Sequence, residues 1–189
     1  MDIILASSSR RRIALMSKLF KDFTINVPPE PNHLKIEMNA KEESLRMAEV
    51  KAQWTALRNP GAVVIGADTL VSVDGEKLSK PKNARDAKRQ LELISGKKFE
   101  VYSSVCICTM RDGKKIRQKL WARKCGIKCE SLSKKEITNY LKTKKWIGKA
   151  GSFNILEKPT KDWLKAKNMD LNPIAGLDIE GIKKEIKSI

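Results

Sequence analysis

The chain's 189 residues and 21.3 kDa suit one domain, or two small lobes at most, and residues 1–189 read as a single domain. A composition of 41% hydrophobic and 32% charged residues excludes disorder. No apolar run approaches the roughly 20 residues of a membrane span, and the Ile3-Ile4-Leu5-Ala6 run is too short for a signal segment, so a soluble, cytoplasmic globular protein is expected. The net charge is +17, and between Arg111 and Lys149 there are 14 basic residues against 3 acidic ones. Such an excess suits either a surface that steers small polyanions into a cleft or a nucleic-acid footprint. Aromatics at 5% leave little for stacking on single-stranded bases.

In chain order, Asp2–Ala6 reads as a short buried strand, Ser7-Ser8-Ser9 as a turn, and Arg10–Phe20 as a helix with Ile13, Met16 and Phe20 at helical spacing. Pro28, Pro29 and Pro31 mark a loop. Asn39 with Glu42 forms a capping box that opens a helix to about Arg58, with Leu45, Ala48 and Ala52 on one face. Asn59-Pro60-Gly61 ends it. Ala62–Ala67 is a near-continuous apolar strand, and Leu70–Leu78 turns at Asp74-Gly75, a strong hairpin signal. Asn83 opens a third helix that closes at Ser95-Gly96. Two long strands, Phe99–Met110 and Ile116–Cys129, join at Arg111-Asp112-Gly113. Ser133 and Glu136 make a second capping box for a helix to about Lys142, and a turn at Gly148–Gly151 follows. A strand near Trp163 and a last helix carrying Ile179, Ile182 and Ile186 complete the pattern. Strands and helices alternate without repeats or linkers, so the expected class is α/β, with a mixed twisted sheet and flanking helices.

Three segments could carry chemistry. Ser7-Ser8-Ser9-Arg10-Arg11-Arg12 offers amides, hydroxyls and guanidinium forks, the groups that hold phosphate oxygens; a capped basic turn is the other reading, and no GK[ST] loop is present. Gly66-Ala67-Asp68-Thr69 ends an apolar strand in a carboxylate, which can hold a metal, take a proton from water, or merely cap a turn. Lys51, Lys80 and Lys149 are each ordinary surface charges alone. Together with the acid they form the set a phosphoryl-transfer site needs, where catalysis is mostly positioning and charge neutralisation. His33, the single histidine, lies in a proline-rich stretch and reads as surface, so general-base chemistry falls to a carboxylate. Cys106 with Cys108 and Cys125 with Cys129 each share a strand face, which makes a four-thiolate zinc site geometrically conceivable. Neither spacing is the C-x₂-C knuckle, however, and cysteine packs well as a small hydrophobe.

These segments resemble the Maf nucleotide pyrophosphatases. Leu5-Ala6-Ser7-Ser8-Ser9-Arg10-Arg11-Arg12 is similar to that family's S-x-S-P-R-R opening. Ile65-Gly66-Ala67-Asp68-Thr69, Asp74-Gly75-Glu76 and Lys80-Pro81 follow its I-G-A-D-T…G-E…K-P. Leu93-Ile94-Ser95-Gly96, Val101-Tyr102, Lys149-Ala150-Gly151-Ser152-Phe153 and Ile174-Ala175-Gly176-Leu177 continue the match nearly to the end. The resemblance implies an ITPase-like fold of two lobes around a central cleft, usually in a homodimer. It also implies hydrolysis of a nucleoside triphosphate between its α- and β-phosphates. By the same resemblance Asp68 activates water. Ser7, Ser9, Arg11, Arg12, Lys51, Lys80 and Lys149 neutralise the triphosphate, and Mg²⁺ or Mn²⁺ is required, held by Asp68 with Glu30 as the nearest second acid. Arg10 stands where the family has proline, and Pro31-Asn32 where many members have an acidic pair. Thr69 matches the dTTP/UTP branch, whereas Ala150-Gly151-Ser152-Phe153 leans towards the 7-methyl-GTP branch. Leu156 occupies the substrate-contacting position at which the first branch has glutamine and the second glutamate, and Glu157 follows one residue later. The alternative is a basic nucleic-acid-binding protein using residues 111–149, for which no helix-turn-helix, zinc-knuckle or aromatic RNA-binding signature is present.

Overall fold

The apolar run after Gly61 becomes the spine of the sheet. The computed structural model describes residues 2–29, 37–155, 157–166 and 176–187; Glu30, Pro31, Asn32, His33, Leu156, Ile174 and Ala175 lie outside the described residues. The chain runs β1 (Ile3–Leu5), α1 (Arg10–Met16), β2 (Thr24–Ile25), α2 (Ala40–Arg58), β3 (Val63–Val73) and β4 (Glu76–Leu78). It continues through α3 (Ala84–Ile94), β5 (Lys98–Arg111), β6 (Lys114–Cys129) and α4 (Lys134–Lys142). A 3₁₀ turn (Ala150–Ser152), α5 (Thr160–Trp163), β7 (Leu164–Ala166) and α6 (Ile179–Ile186) complete it. The seven strands form one mixed sheet in the order β2-β1-β3-β5-β6-β7, with β4 added to β3. β2, β1 and β3 are parallel, and the remaining pairings are antiparallel. Among the described residues no helix is long and apolar enough to cross a membrane.

The expected hairpins form, and for the expected reason. Asp74 and Gly75 have φ of 48° and 82°, and Asp112 and Gly113 have φ of 50° and 71°. Two consecutive left-handed residues make the tight turn whose twist matches paired strands. Both capping boxes are present, Asn39 with Glu42 on α2 and Ser133 with Glu136 on α4. The helix after the first strand stops at Met16 rather than Phe20, and Trp163 ends α5, with the strand starting one residue later. The two-residue β2 is too short to have a sequence signal.

One correction matters for function. The apolar strand does not end at Asp68; β3 runs on to Val73 as a single strand of 11 residues. Gly66, Ala67 and Asp68 have poor strand propensity, but β5 offers a continuous antiparallel ladder from Val64↔Cys108 to Ser72↔Glu100, and tertiary pairing overrides propensity. The cysteines divide between two core clusters. Cys106 and Cys108 pack in one core cluster under α2, whereas Cys125 and Cys129 belong with another. Burial raises the proton affinity of all four thiols, that of Cys129 to about 11.

α2 lies on β3 with a face of Ser44, Ala48, Ala52 and Ala56, all fully buried. Its backbone comes so close that a Cβ on Gly66 would sit 2.4 Å from the Ala48 carbonyl oxygen and 2.7 Å from the Ala52 nitrogen. Only glycine fits there. The two largest core clusters share β3 and β5. One contains Val63, Ile65, Ala67, Val105 and Ile107 with α1 and α6; the other contains Val71, Val73, Phe99 and Val101 with α3 and α4.

Candidate active site

Because α2 approaches β3 at Gly66 between Ala48 and Ala52, the same turn of the helix brings Lys51 over Asp68. The Lys51 Nζ donates to Asp68 Oδ1 at 2.7 Å, and the two side chains are only 9% and 16% exposed. Asp68 faces α2 from the middle of β3. Its ladder neighbour Ser104 shares a buried hydrogen bond with Ser44 of α2, 2.6 Å between hydroxyls, which anchors the helix beside the pair. The ion pair orients the carboxylate and gives Lys51 a partner other than the phosphate oxygens that the resemblance implies.

The pair lines a cavity of about 340 Å³, within the range of ligand pockets. Ser7, Ser9, Arg11, Arg12, Thr69, Lys80 and Lys149 line it too. Thus, of the residues proposed from sequence, all those within the described residues meet in one place. The opposite chemistry comes from Val71, Val101, Phe153 and Ile155, all members of one core cluster, and from the exposed Ile147. These apolar residues had no sequence signal beyond ordinary core patterning, apart from Val101 and Phe153 in their motifs. The cavity lining thus combines cations and hydroxyls with apolar side chains.

Each functional loop is tied down locally. Ser9 caps α1 by accepting from the Arg12 amide, and Ser7 Oγ accepts from the Ser9 amide at 3.3 Å. Arg12 Nη1 donates to Ser7 Oγ (3.2 Å) and to the Ala67 carbonyl (2.8 Å), Nη2 to Thr69 Oγ1 (3.1 Å), and Nε to the Gly176 carbonyl (2.9 Å). The loops bearing Lys80 and Lys149 are joined by the Gly151 amide donating to the Ser79 carbonyl at 3.3 Å. Gly151 has φ of 69°, and a Cβ there would meet the Phe153 ring at 2.6 Å. Ser152 Oγ donates to the buried Gln90 side chain at 2.7 Å.

The cations crowd one another. Burial first, and Arg12 second, lower the proton affinity of Arg11, with Glu157 and Tyr140 opposing. Burial and then Arg11 lower that of Lys149, again opposed by Glu157. Glu157 thereby emerges as the acid that partly balances this cluster. Asp68 is the one carboxylate among the described residues that line the cavity, and no group of three His, Cys, Asp or Glu side chains forms a cation cage among the described residues. The basic run of residues 111–149 is spread over β6, its turn and α4, and Arg117, Arg123 and Lys124 pair with Glu185, Asp178 and Glu100.

Comparison with known proteins gives a consistent pattern. A family model described as "Maf-like protein" matches residues 2–189. The dTTP/UTP pyrophosphatase of Pyrococcus abyssi is 35% identical over 187 residues, 98% of this chain and 95% of that one. The dTTP/UTP pyrophosphatase of Carboxydothermus hydrogenoformans is 30% identical over 187 residues, covering 99% and 98%. Among solved structures, a HAM1 protein from Coxiella burnetii superposes with a TM-score of 0.53 at 13% identity over 100% of both chains, a likeness of fold.

Proposed function

The chain belongs to the Maf-like protein family, and from that premise we propose that it hydrolyses a nucleoside triphosphate between the α- and β-phosphates, releasing nucleoside monophosphate and pyrophosphate. The observation that carries this reading is the Lys51–Asp68 pair in a cavity whose other charged lining residues are cationic. Asp68 accepts a proton from the attacking water while Lys51 holds the carboxylate in place. As the anhydride bond breaks, its electron pair leaves with the pyrophosphate. Arg11, Lys80, Lys149 and the Ser7 and Ser9 hydroxyls face that charge, the electrostatic contribution that dominates such reactions.

Mg²⁺ and Mn²⁺ fit these residues. Mg²⁺ is commonly bound by one or two carboxylates with substrate oxygens and water rather than by a protein cage, and Asp68 with the substrate's phosphates provides that set. Glu30 is proposed as a second ligand on the resemblance alone. When bound, the ion neutralises and polarises phosphoryl oxygens.

For the base we propose the dTTP/UTP class, supported by Thr69 in the cavity lining and by the relatives bearing that name. A panel assay tests both statements. The protein with Mg²⁺ or Mn²⁺ is given dTTP, UTP, 7-methyl-GTP and the other canonical and deaminated triphosphates, and products are separated by ion exchange. Monophosphate with pyrophosphate, fastest from dTTP or UTP, is the expected result. Preference for 7-methyl-GTP overturns the base assignment. Diphosphate with orthophosphate overturns the scissile bond.

A further inference from the structure

Among the described residues, the pairing along one edge of β3 has a gap, and Asp68 sits at its centre. On the β1 side, pairing runs from Ile3↔Val63 to Leu5↔Ile65, and the Ala6 amide makes the last ladder bond, to the Ile65 carbonyl at 2.9 Å. Pairing on that edge resumes only at Val71↔Leu78 with β4. Backbone groups of alternate residues face the same edge, so the Ala67 carbonyl is the next one along after Ile65, at a point where β1 has already turned away into the Ser7–Ser9 loop. An unpaired carbonyl in a partly buried sheet is costly.

Arg12 fills this gap. Its Nη1 donates to the Ala67 carbonyl at 2.8 Å and its Nη2 to Thr69 Oγ1 at 3.1 Å. It therefore grips the residues immediately before and after Asp68. Its Nε reaches the Gly176 carbonyl at 2.9 Å, and Nη1 also reaches Ser7 Oγ at 3.2 Å. Four of the guanidinium's five N–H donors thus meet protein acceptors on three separate segments. Gly176 is shaped to the same clasp: its φ is +100°, and a Cβ there would come 3.3 Å from Thr69 Oγ1 and 3.5 Å from Arg12 Nε.

We propose that Arg12 is a positioning residue, its guanidinium bonding the Ala67 carbonyl before Asp68 and the Thr69 hydroxyl after it where no described strand pairs with that edge, rather than a ligand of the triphosphate as the family resemblance implies. Lys51 holds the Asp68 carboxylate from α2, and Arg12 holds its backbone along the strand edge. Only a planar fork can serve acceptors in these directions at once; an ammonium cannot. This role rests on the reading of the cavity as a triphosphate pyrophosphatase site.

The test is Arg12→Lys, which keeps the positive charge and removes the fork. We measure kcat and KM for the preferred triphosphate, the Kd of pyrophosphate by calorimetry, and the thermal midpoint. Misplacing a reacting group by about 1 Å costs about 100-fold, so kcat should fall by that order while KM and the pyrophosphate Kd stay within about threefold. Pyrophosphate binding and KM weakening about tenfold or more in step would overturn the proposal and make Arg12 a phosphate ligand. Unchanged kcat would overturn it too. If Arg12→Lys does not fold, Gly176→Ala carries the test, because it leaves every cation in place and pushes on the same clasp. The same loss of kcat with intact pyrophosphate binding supports the role, and full activity refutes it. If the unmodified protein turns over no triphosphate, the functional reading fails, and this role fails with it.

Discussion

Asp68 and Lys51 are held together at 2.7 Å with little solvent between them, so their removal should separate chemistry from stability. Asp68→Asn keeps the shape and removes the proton acceptor; a general base contributes about 10²–10⁴ in rate, and kcat should fall within that range with an unchanged far-ultraviolet spectrum. Turnover at the normal rate would remove Asp68 from its proposed role. Lys51→Met should lower both kcat and the thermal midpoint, because a largely buried carboxylate loses its charge partner. A second carboxylate, Asp178, is structural. Burial alone would raise its proton affinity, but bonds from Arg123 and Trp121, both at 2.8 Å, and from the Gly181 amide outweigh this and hold it below the usual carboxylate range. Its folded pKa thus lies below the unfolded value of about 3.9. Its stabilisation is present above that value and is lost as pH falls through the folded pKa. Asp178→Asn should therefore melt lower at pH 7 and show a flatter decline between about pH 5 and 3 than the unmodified chain. Trp121 fluorescence reads this directly, and parallel pH curves for the two proteins would contradict it.

At the scale of elements, the site depends on how closely α2 lies on β3. Gly66→Ala would place a methyl 2.4 Å from one backbone atom and 2.7 Å from another, both unable to yield. Overpacking of this kind costs about 1–3 kcal/mol, or about 2–12 °C in the thermal midpoint for a chain of this size. Because Lys51 rides on the displaced helix, kcat should fall as well; a stable and fully active Gly66→Ala variant would show that the contact is dispensable. The limits of α2, α3 and α4 were legible in the sequence because their caps are local: Asn39 with Glu42, Asn83, and Ser133 with Glu136 act within four residues. The continuation of β3 through Asp68 was not, since Gly-Ala-Asp-Thr has the composition of a strand end and only the ladder from β5 extends it. The residues of the site were legible by type, as cations and an acid beside core elements. Their pairing was not. Nothing local joins Lys51 to Asp68 or Arg12 to Gly176, which are brought together by packing across 17 and 164 residues.

For the whole molecule, a net charge of +17 means that the folded chain repels itself, most sharply at Arg11 and Lys149, whose proton affinity is lowered first by burial and then by a neighbouring arginine, Arg12 and Arg11 respectively. Screening shortens that repulsion. Raising NaCl from about 0.05 to 0.5 M, a change from about 14 Å to about 4 Å in Debye length, should raise the thermal midpoint. Pyrophosphate should do so at far lower concentration by binding in the cleft. A midpoint that falls with salt would mean that the surface ion pairs outweigh the global repulsion. The sharing of β3 and β5 by the two main core clusters has a mechanical consequence. Val63, Ile65 and Ala67 anchor one jaw of the cleft, and Val71 and Val73 anchor the other. Both jaws are thus stretches of the same strand, with Asp68 at the crossing and β5 laced alongside throughout. Among the described residues the ladder runs unbroken between them, so opening them like a clamshell would tear the pairing that makes them. The expected consequence is a cleft cast at folding, with both jaws melting together in one calorimetric transition; two separate transitions would contradict it.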